Sequence, residues 1–356
     1  MSEHSTQNST SLRVVAAVPL REDLCRLIEQ LEPRVEVVRD HDLLPPMRGP
    51  ADWSGDPSFH RSADAQARFE RMIDSADALF GIPDVDPSAL ARTVAANPRL
   101  RWVMTTAAGG GAQVRAAALP AEALERVVFT TSAGVHGGPL AEFAVFGVLA
   151  GAKDLPRLQR DQRAGVWPER WEMRQLDELT VLIVGLGGIG SACAQRFHAL
   201  GARVWGTTRP GQSVDGVDRL VPLEDLEAAV AQVDAVVVTL PGTAQTHHLI
   251  DERILAAARP GVILASVGRG TVIDERALLR ALDDGIVSFA ALDVFEVEPL
   301  PQESALWSHP RVLVSPHTAA LSSREEERIA RRFAADATRL LDGAPMRAVV
   351  DTVEFY

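Results

Sequence analysis

A chain of 356 residues suggests about two domains, each large enough for its own core. Its hydrophobic share of 46% and charged share of 24% are ordinary for a soluble globular protein, and no apolar run approaches the ~20 residues of a membrane span. A formal net charge of −12, with no basic stripe to offset it, argues against nucleic acid as a main partner.

Residues 12–18 read as a first strand, 21–31 as a helix and 35–38 as a second strand. Residues 43–58, rich in Pro, Gly and Asp and holding Trp53, read as a loop of unusual length. A helix over 63–75, a strand over 78–80, a helix over 87–96 and strands over 101–105 and 127–130 follow. This β-α repeat carries no glycine-rich fingerprint and forms a first α/β lobe. The apolar helix 138–152 reads as a bridge to a second lobe. A polar stretch with Trp167 and Trp171 follows it, the two tryptophans reading as core or interface packing. Strands are then expected over 181–184, 202–207, 235–240, 262–267, 287–294 and 312–315. The intervening helices include one that opens on Asp274, a good N-cap. A last helix is expected to open on the capping box Ser323-x-x-Glu326 and to carry Ile329, Phe333 and Leu340 on one face. It stops at Gly343, with Pro345 beyond, and should return to the first lobe. The predicted class is α/β, with two Rossmann-like or flavodoxin-like lobes of parallel strands.

The stretch Val181-Leu-Ile-Val-Gly-Leu-Gly-Gly-Ile-Gly190 organises the second lobe. An apolar strand runs into Gly185, Gly187 and Gly190 at G-x-G-x-x-G spacing, and a helical pattern follows. One glycine makes a tight turn, one lets backbone approach a pyrophosphate, and one lets helix and strand pack closely. Free N–H groups at the helix start, including those of Gly188 and Ile189, then hold the anionic diphosphate. Further cofactor contacts are expected from the ends of later strands: Leu240, Pro241, Thr246, Val267 and Gly268, with Thr239 beside them.

In an open parallel sheet, ligands bind beyond the carboxyl ends of the strands. Three ionisable residues lie just past such ends: Arg269, Glu298 and His317. An Arg, a Glu and a His converging there suit carbonyl reduction. The guanidinium fork grips a carboxylate and polarises the neighbouring carbonyl. The imidazole protonates the developing alkoxide, and a carboxylate bonded to it fixes its orientation and favours the imidazolium.

Three segments resemble the signatures of the D-2-hydroxyacid dehydrogenase family: Val267-Gly-Arg-Gly-Thr-Val-Ile-Asp-Glu-Arg-Ala-Leu278, Ala291-Leu-Asp-Val-Phe-Glu-Val-Glu-Pro-Leu300 and Ser315-Pro-His317. The resemblance implies that Arg269 binds the carboxylate and carbonyl of a 2-oxo acid and that His317 is the acid/base paired to Glu298. It puts Asp293 near the nicotinamide carboxamide. In the first lobe, Leu100-Arg-Trp-Val-Met-Thr-Thr-Ala-Ala-Gly109 resembles the family's substrate loop. Backbone N–H groups of Ala108 and Gly109 would hold the carboxylate there, with Gly81 and Ile82 as another wall. The resemblance also implies a homodimer built on helix 138–152. It assigns substrate binding to residues 1–134 and 320–356, and dinucleotide binding to 135–319. Ser266 departs from the family's usual Asn, and Gly110 and Gly111 stand where a larger residue and an Asp are frequent.

An NAD enzyme places an acid about 20 residues after the glycines, on the ribose 2′-OH. Thr208 stands at that position here and Arg209 follows, a pair able to bind a 2′-phosphate, so NADP(H) is favoured with NAD(H) as the alternative. Only Cys25 and Cys193 are present and Met1 to Ser11 lacks signal-peptide character, so a reducing, cytoplasmic setting is expected, with no metal. His247 and His248 read as helix-start packing rather than metal ligands. The expected reaction is hydride transfer between NAD(P)H and C2 of a 2-oxo acid or D-2-hydroxy acid. The alternatives are a dinucleotide-sensing, corepressor-like binding protein and a dehydrogenase of a non-carboxylate anion.

Overall fold

Apolar runs buried on both faces become the strands of two all-parallel sheets, as expected for α/β architecture. The computed structural model describes residues 11–207, 214–353 and 355. Two units result, one running to Val135 and resuming at Leu321, the other spanning His136–Ala320.

The first unit holds strands β1 (Leu12–Ala16), β2 (Val35–Val38), β3 (Ala78–Phe80), β4 (Trp102–Met104) and β5 (Val128–Thr130) in the order β2-β1-β3-β4-β5. Val14 pairs with Val37 on one side and Ala78 on the other, which fixes which residues face each layer of helices. The helix Glu325–Leu341 packs on this sheet through Phe333, stacked on Trp102 with ring centroids 4.3 Å apart and tilted against Phe80 at 5.2 Å. The segment after it adds an antiparallel bridge, Thr130 to Val349, at the edge of β5.

The start of that helix departs from expectation. It begins at Glu325, with Arg324 at the capping position and no side-chain cap, so Ser323 and Glu326 form no capping box. The Glu326 carboxylate instead accepts from the Ala51 N–H at 3.3 Å and lies 3.6 Å from Arg21. Three glutamates in the first turn still complement the positive end of the helix. The long loop after β2 is anchored by buried Leu43 and Leu44 and by Trp53, which meets Phe80 edge-on at 5.8 Å.

The second unit holds β6 (Thr180–Val184), β7 (Arg203–Thr207), β8 (Arg219–Val221), β9 (Ala235–Val238), β10 (Val262–Ser266), β11 (Val287–Leu292) and β12 (Val312–Val314). Their order is β12-β11-β10-β9-β6-β7-β8, with the strand sequence reversing at β6. The helix Gly137–Ala152, expected as an inter-lobe bridge, belongs to the core of this unit. A Cβ at its Gly147 would sit 2.5 Å from the Ala291 Cβ, so the helix lies directly on the sheet.

Two elements of this unit escape the sequence pattern. The helix Leu155–Ala164 buries no side chain, and β8 buries only Val221, so neither carries an apolar periodicity. Trp167 is 97% exposed, so it is not a core residue, whereas Trp171 packs under the Arg157 guanidinium at 3.9 Å. His247 and His248 open no helix; they lie in a turn, stacked at 4.0 Å. Among the described residues no helix is long and apolar enough to cross a membrane, and no His, Cys, Asp or Glu cluster is suited to a metal ion.

Candidate active site

The glycine loop leaves β6 at the point where the sheet order reverses, and each glycine meets a different steric demand. Gly185 has φ +105°, which β-carbon-bearing residues rarely adopt. A Cβ at Gly190 would lie 2.0 Å from the Gly185 carbonyl oxygen, whereas one at Gly187 would meet nothing within 4 Å. The turn is thus tight beneath and open above, where a pyrophosphate can approach the backbone. The helix Gly188–Ala199 follows, and no internal acceptor serves the N–H groups of Gly188, Ile189 or Gly190 among the described residues.

The residues around the loop divide into supports and surfaces. Thr239 donates its hydroxyl to the Val184 and Gly185 carbonyls, and Thr207 Oγ1 accepts from the Gly185 N–H at 2.9 Å, so both threonines hold the loop from below. Thr246 donates to the Pro241 carbonyl at 2.6 Å, which spends its hydroxyl on the turn instead of on a ligand. Val267 is buried in the core, and a Cβ at Gly268 would lie 2.5 Å from the Leu240 carbonyl, so these three form a floor. Thr208 and Arg209, the residues expected at the ribose, lie outside the described residues.

Arg269, Glu298 and His317 are carried past the carboxyl ends of β10, β11 and β12, which are neighbours in the sheet. Glu298 Oε2 meets His317 Nδ1 at 2.7 Å, and its other oxygen accepts the Phe295 N–H at 3.0 Å. His317 adopts φ +52° and donates its own N–H to the Asp293 carbonyl at 2.9 Å, so the strained backbone is pinned. With Nδ1 committed to the carboxylate, Nε2 is the ring atom left to exchange a proton. The Arg269 guanidinium donates to the Gly268 carbonyl at 2.9 Å, and no carboxylate pairs with it among the described residues.

Asp293 is fully buried at the end of β11. Its Oδ1 accepts from Ser315 Oγ at 2.5 Å and from the Thr318 and Ala319 N–H groups at 3.0 Å each. Its Oδ2 is buried and has no hydrogen-bond partner among the described residues. Beside it, Ser266 Oγ is also buried and without a hydrogen-bond partner among the described residues. A buried acceptor without a donor fits an incoming amide N–H, as a nicotinamide carboxamide presents. Thr207 carries no functional signal in the sequence, and for Ser315 and Thr239 the sequence gives only a place near the site, not the bonds they make. Only the strand register, which brings their hydroxyls onto neighbouring strand ends, reveals them.

In the first unit, Ala108 and Gly109 form an exposed turn after β4, and their N–H groups are not used in internal hydrogen bonds among the described residues. Gly110 is there for packing, since a Cβ would lie 1.8 Å from Thr105 Oγ1. Ile82 does not offer a side-chain wall. It is 2% exposed and packs in the core of the first unit.

A doubly wound sheet, a glycine-lined anion turn and a Glu-His pair at neighbouring strand ends define a nicotinamide-dependent dehydrogenase. Residues 145–319 match the family described as D-isomer specific 2-hydroxyacid dehydrogenase, NAD binding domain. Glyoxylate/hydroxypyruvate reductase A of Salmonella dublin is 34% identical over 267 residues, covering 73% of this chain and 83% of that protein. A D-isomer specific 2-hydroxyacid dehydrogenase from Xanthobacter autotrophicus Py2, solved with NADPH and MES, is 30% identical with a TM-score of 0.75, over 98% of this chain and 100% of the other. An NADPH-dependent glyoxylate/hydroxypyruvate reductase from Sinorhizobium meliloti shares the fold at 24% identity and TM-score 0.73, over 97% of this chain and 100% of its own. The chain belongs to the D-isomer specific 2-hydroxyacid dehydrogenase family. It is an NAD(P)-dependent enzyme of the 2-hydroxyacid dehydrogenase reaction.

Proposed function

We propose that this enzyme works mainly as a reductase of small 2-oxo acids of the glyoxylate and hydroxypyruvate type, with NADPH as the preferred reductant. The Gly185 to Gly190 turn and Asp293 Oδ2 would hold the dinucleotide, whose reduced nicotinamide would supply the hydride for the substrate's C2. Arg269 grips the substrate carboxylate and polarises the adjacent carbonyl. His317 Nε2 gives its proton to the carbonyl oxygen as the C–H bond forms, and Glu298 stabilises the imidazolium before that transfer. The product is a 2-hydroxy acid, and His317 is left neutral until solvent reprotonates it. Residues 1–134 and 320–356 are assigned to substrate binding, with the N–H groups of Ala108 and Gly109 as that part's candidate anion donors. Residues 135–319 hold the dinucleotide.

The observation that carries this assignment is the 2.7 Å contact of His317 with Glu298, on strand ends adjacent to that of Arg269. The coenzyme preference rests on Thr208 and Arg209 at the position of the ribose-binding acid, and on the NADPH bound to the Xanthobacter relative. A homodimer is supported by the apolar helix Gly137–Ala152, which leaves Phe146 49% exposed, and by the exposed Val166 and Trp167 in the segment that follows. A cytoplasmic setting is supported by two buried, unpaired cysteines.

The test is steady-state reduction of glyoxylate, hydroxypyruvate and larger 2-oxo acids with NADPH and NADH. His317→Ala and Arg269→Ala are each expected to lower kcat/KM by about a hundredfold or more. Turnover near that of the unmodified enzyme would remove these roles, and a clear NADH preference would remove the coenzyme assignment.

A further inference from the structure

Beside the catalytic pair lies a group of three ionisable side chains that the reaction does not use. Glu296 and Glu275 exchange hydrogen bonds reciprocally: the Glu296 N–H donates to Glu275 Oε1 at 2.7 Å, and the Glu275 N–H donates to Glu296 Oε1 at 2.8 Å. The remaining oxygen of Glu296 lies 3.2 Å from His248 Nε2, within ion-pair distance of a protonated ring but without a formed hydrogen bond. His248 is itself held, with φ +49°, its N–H donated to the Thr271 carbonyl at 2.8 Å and its ring stacked on His247.

The three side chains come from three different strand exits. His248 follows β9, Glu275 begins the helix Glu275–Asp283 after β10, and Glu296 lies in the loop after β11, two residues before Glu298. The Arg269 loop and the Glu298 loop already touch backbone to backbone, since a Cβ at Gly270 would fall 1.9 Å from the Phe295 carbonyl carbon. Burial pushes the Glu275 carboxyl up, the hydrogen bond from the Glu296 N–H draws it back, and the nearby Glu296 and Glu298 charges push it up again, for a net rise.

We propose that His248, Glu296 and Glu275 form a clamp that positions Glu298 against His317. The inference rests on the roles assigned above to Glu298 and His317. The loop from Phe295 to Glu298 is short, and apart from the bond of Glu298 itself to His317, its side-chain ties across to other strand exits are at Glu296, among the described residues. Release of that residue lets Glu298 drift, and with it the ring orientation on which proton delivery depends. These are positioning residues; none of them is assigned a contact with substrate or coenzyme.

The experiment compares Glu296→Ala, Glu296→Gln, Glu298→Gln and the double variant Glu296→Ala/Glu298→Gln, with glyoxylate and NADPH. Glu296→Ala is expected to lower kcat by about tenfold to a hundredfold, with the KM for glyoxylate and the Kd for NADPH changed by less than about twofold. Glu296→Gln keeps an acceptor for the Glu275 N–H and recovers most of that loss. On the Glu298→Gln background, Glu296→Ala adds no further loss, because the clamp acts through Glu298. A Glu296→Ala enzyme within about twofold of the unmodified kcat, or a loss that multiplies fully with Glu298→Gln, overturns the proposal. Should Glu296→Ala not fold, His248→Asn carries the test: kcat lowered about fivefold or more supports the clamp, and unchanged kcat overturns it. If His317→Ala leaves turnover intact, the acid/base assignment falls and the clamp with it. If His317→Ala abolishes turnover while Glu296→Ala does nothing, the clamp alone falls.

Discussion

Asp293 ties the scaffold to the chemistry, and two substitutions there separate those duties. Its Oδ1 accepts from Ser315 Oγ and from the Thr318 and Ala319 N–H groups, the residues on either side of His317, while Oδ2 is left without a partner among the described residues. Asp293→Ala strands three donors. At about 1–3 kcal/mol for each unsatisfied buried donor the nominal loss is large. Thr318 is exposed and the Ser315 hydroxyl can rotate, so water and relaxation should hold the loss to about 3–5 kcal/mol. Asp293→Asn keeps an oxygen for the same donors and loses only the charge assistance, about 1–3 kcal/mol in all. Its amide nitrogen, however, puts a donor where Oδ2 is proposed to accept from the nicotinamide carboxamide. Urea unfolding of the two variants should therefore rank the alanine well below the asparagine. Hydride transfer from NADPH should fall in both, by about tenfold or more. An asparagine variant as fast as the unmodified enzyme, or an alanine variant destabilised by less than about 1 kcal/mol, would refute the reasoning.

Other consequences are equally direct. Gly190→Ala places a Cβ against the Gly185 carbonyl, so NADPH titration by fluorescence should show affinity reduced by about tenfold or more, and native affinity would contradict the tight-turn geometry. Burial pushes the Cys25 and Cys193 thiols up to about 12, so neither should react with a thiol reagent at pH 8 until the chain is unfolded. Hydrogen bonds from Arg34 hold the Glu32 carboxyl down at about 2, so its contribution is complete above about pH 4.5 and is lost as pH falls towards 2. Glu32→Gln should accordingly flatten the acid-side loss of stability measured by urea unfolding across that window, and an unchanged slope would argue against the pairing. Phe146→Asp should convert the proposed dimer to monomer in sedimentation, and an unaltered mass would exclude that helix face from the interface.

Much of this architecture was legible because parallel-sheet strands are apolar on both faces. The runs at 181–184, 235–238 and 262–266 announce themselves without alternation, and the glycine spacing follows the first of them. The helix Leu155–Ala164 and the edge strand β8 left no such mark, since elements that bury little select little in sequence. The capping box at Ser323 misled for a different reason: Glu326 had a better partner in the Ala51 N–H, 275 positions away in the chain. The same distinction runs through the site. Arg269, Glu298 and His317 are readable one by one as strand-end residues, because position past a strand end is a local property. The pairing of Glu298 with His317 is expected only through the family resemblance; that Asp293 binds both flanks of the histidine loop, and that Glu296 approaches His248, are properties of register. Register brings β9, β10, β11 and β12 side by side, and the exits of four separate strands become one surface. A proton donor at such a surface is aimed by the loops around it as much as by its own strand. The burial of hydrogen-bonding groups behind His317 is therefore what the chemistry requires of this fold.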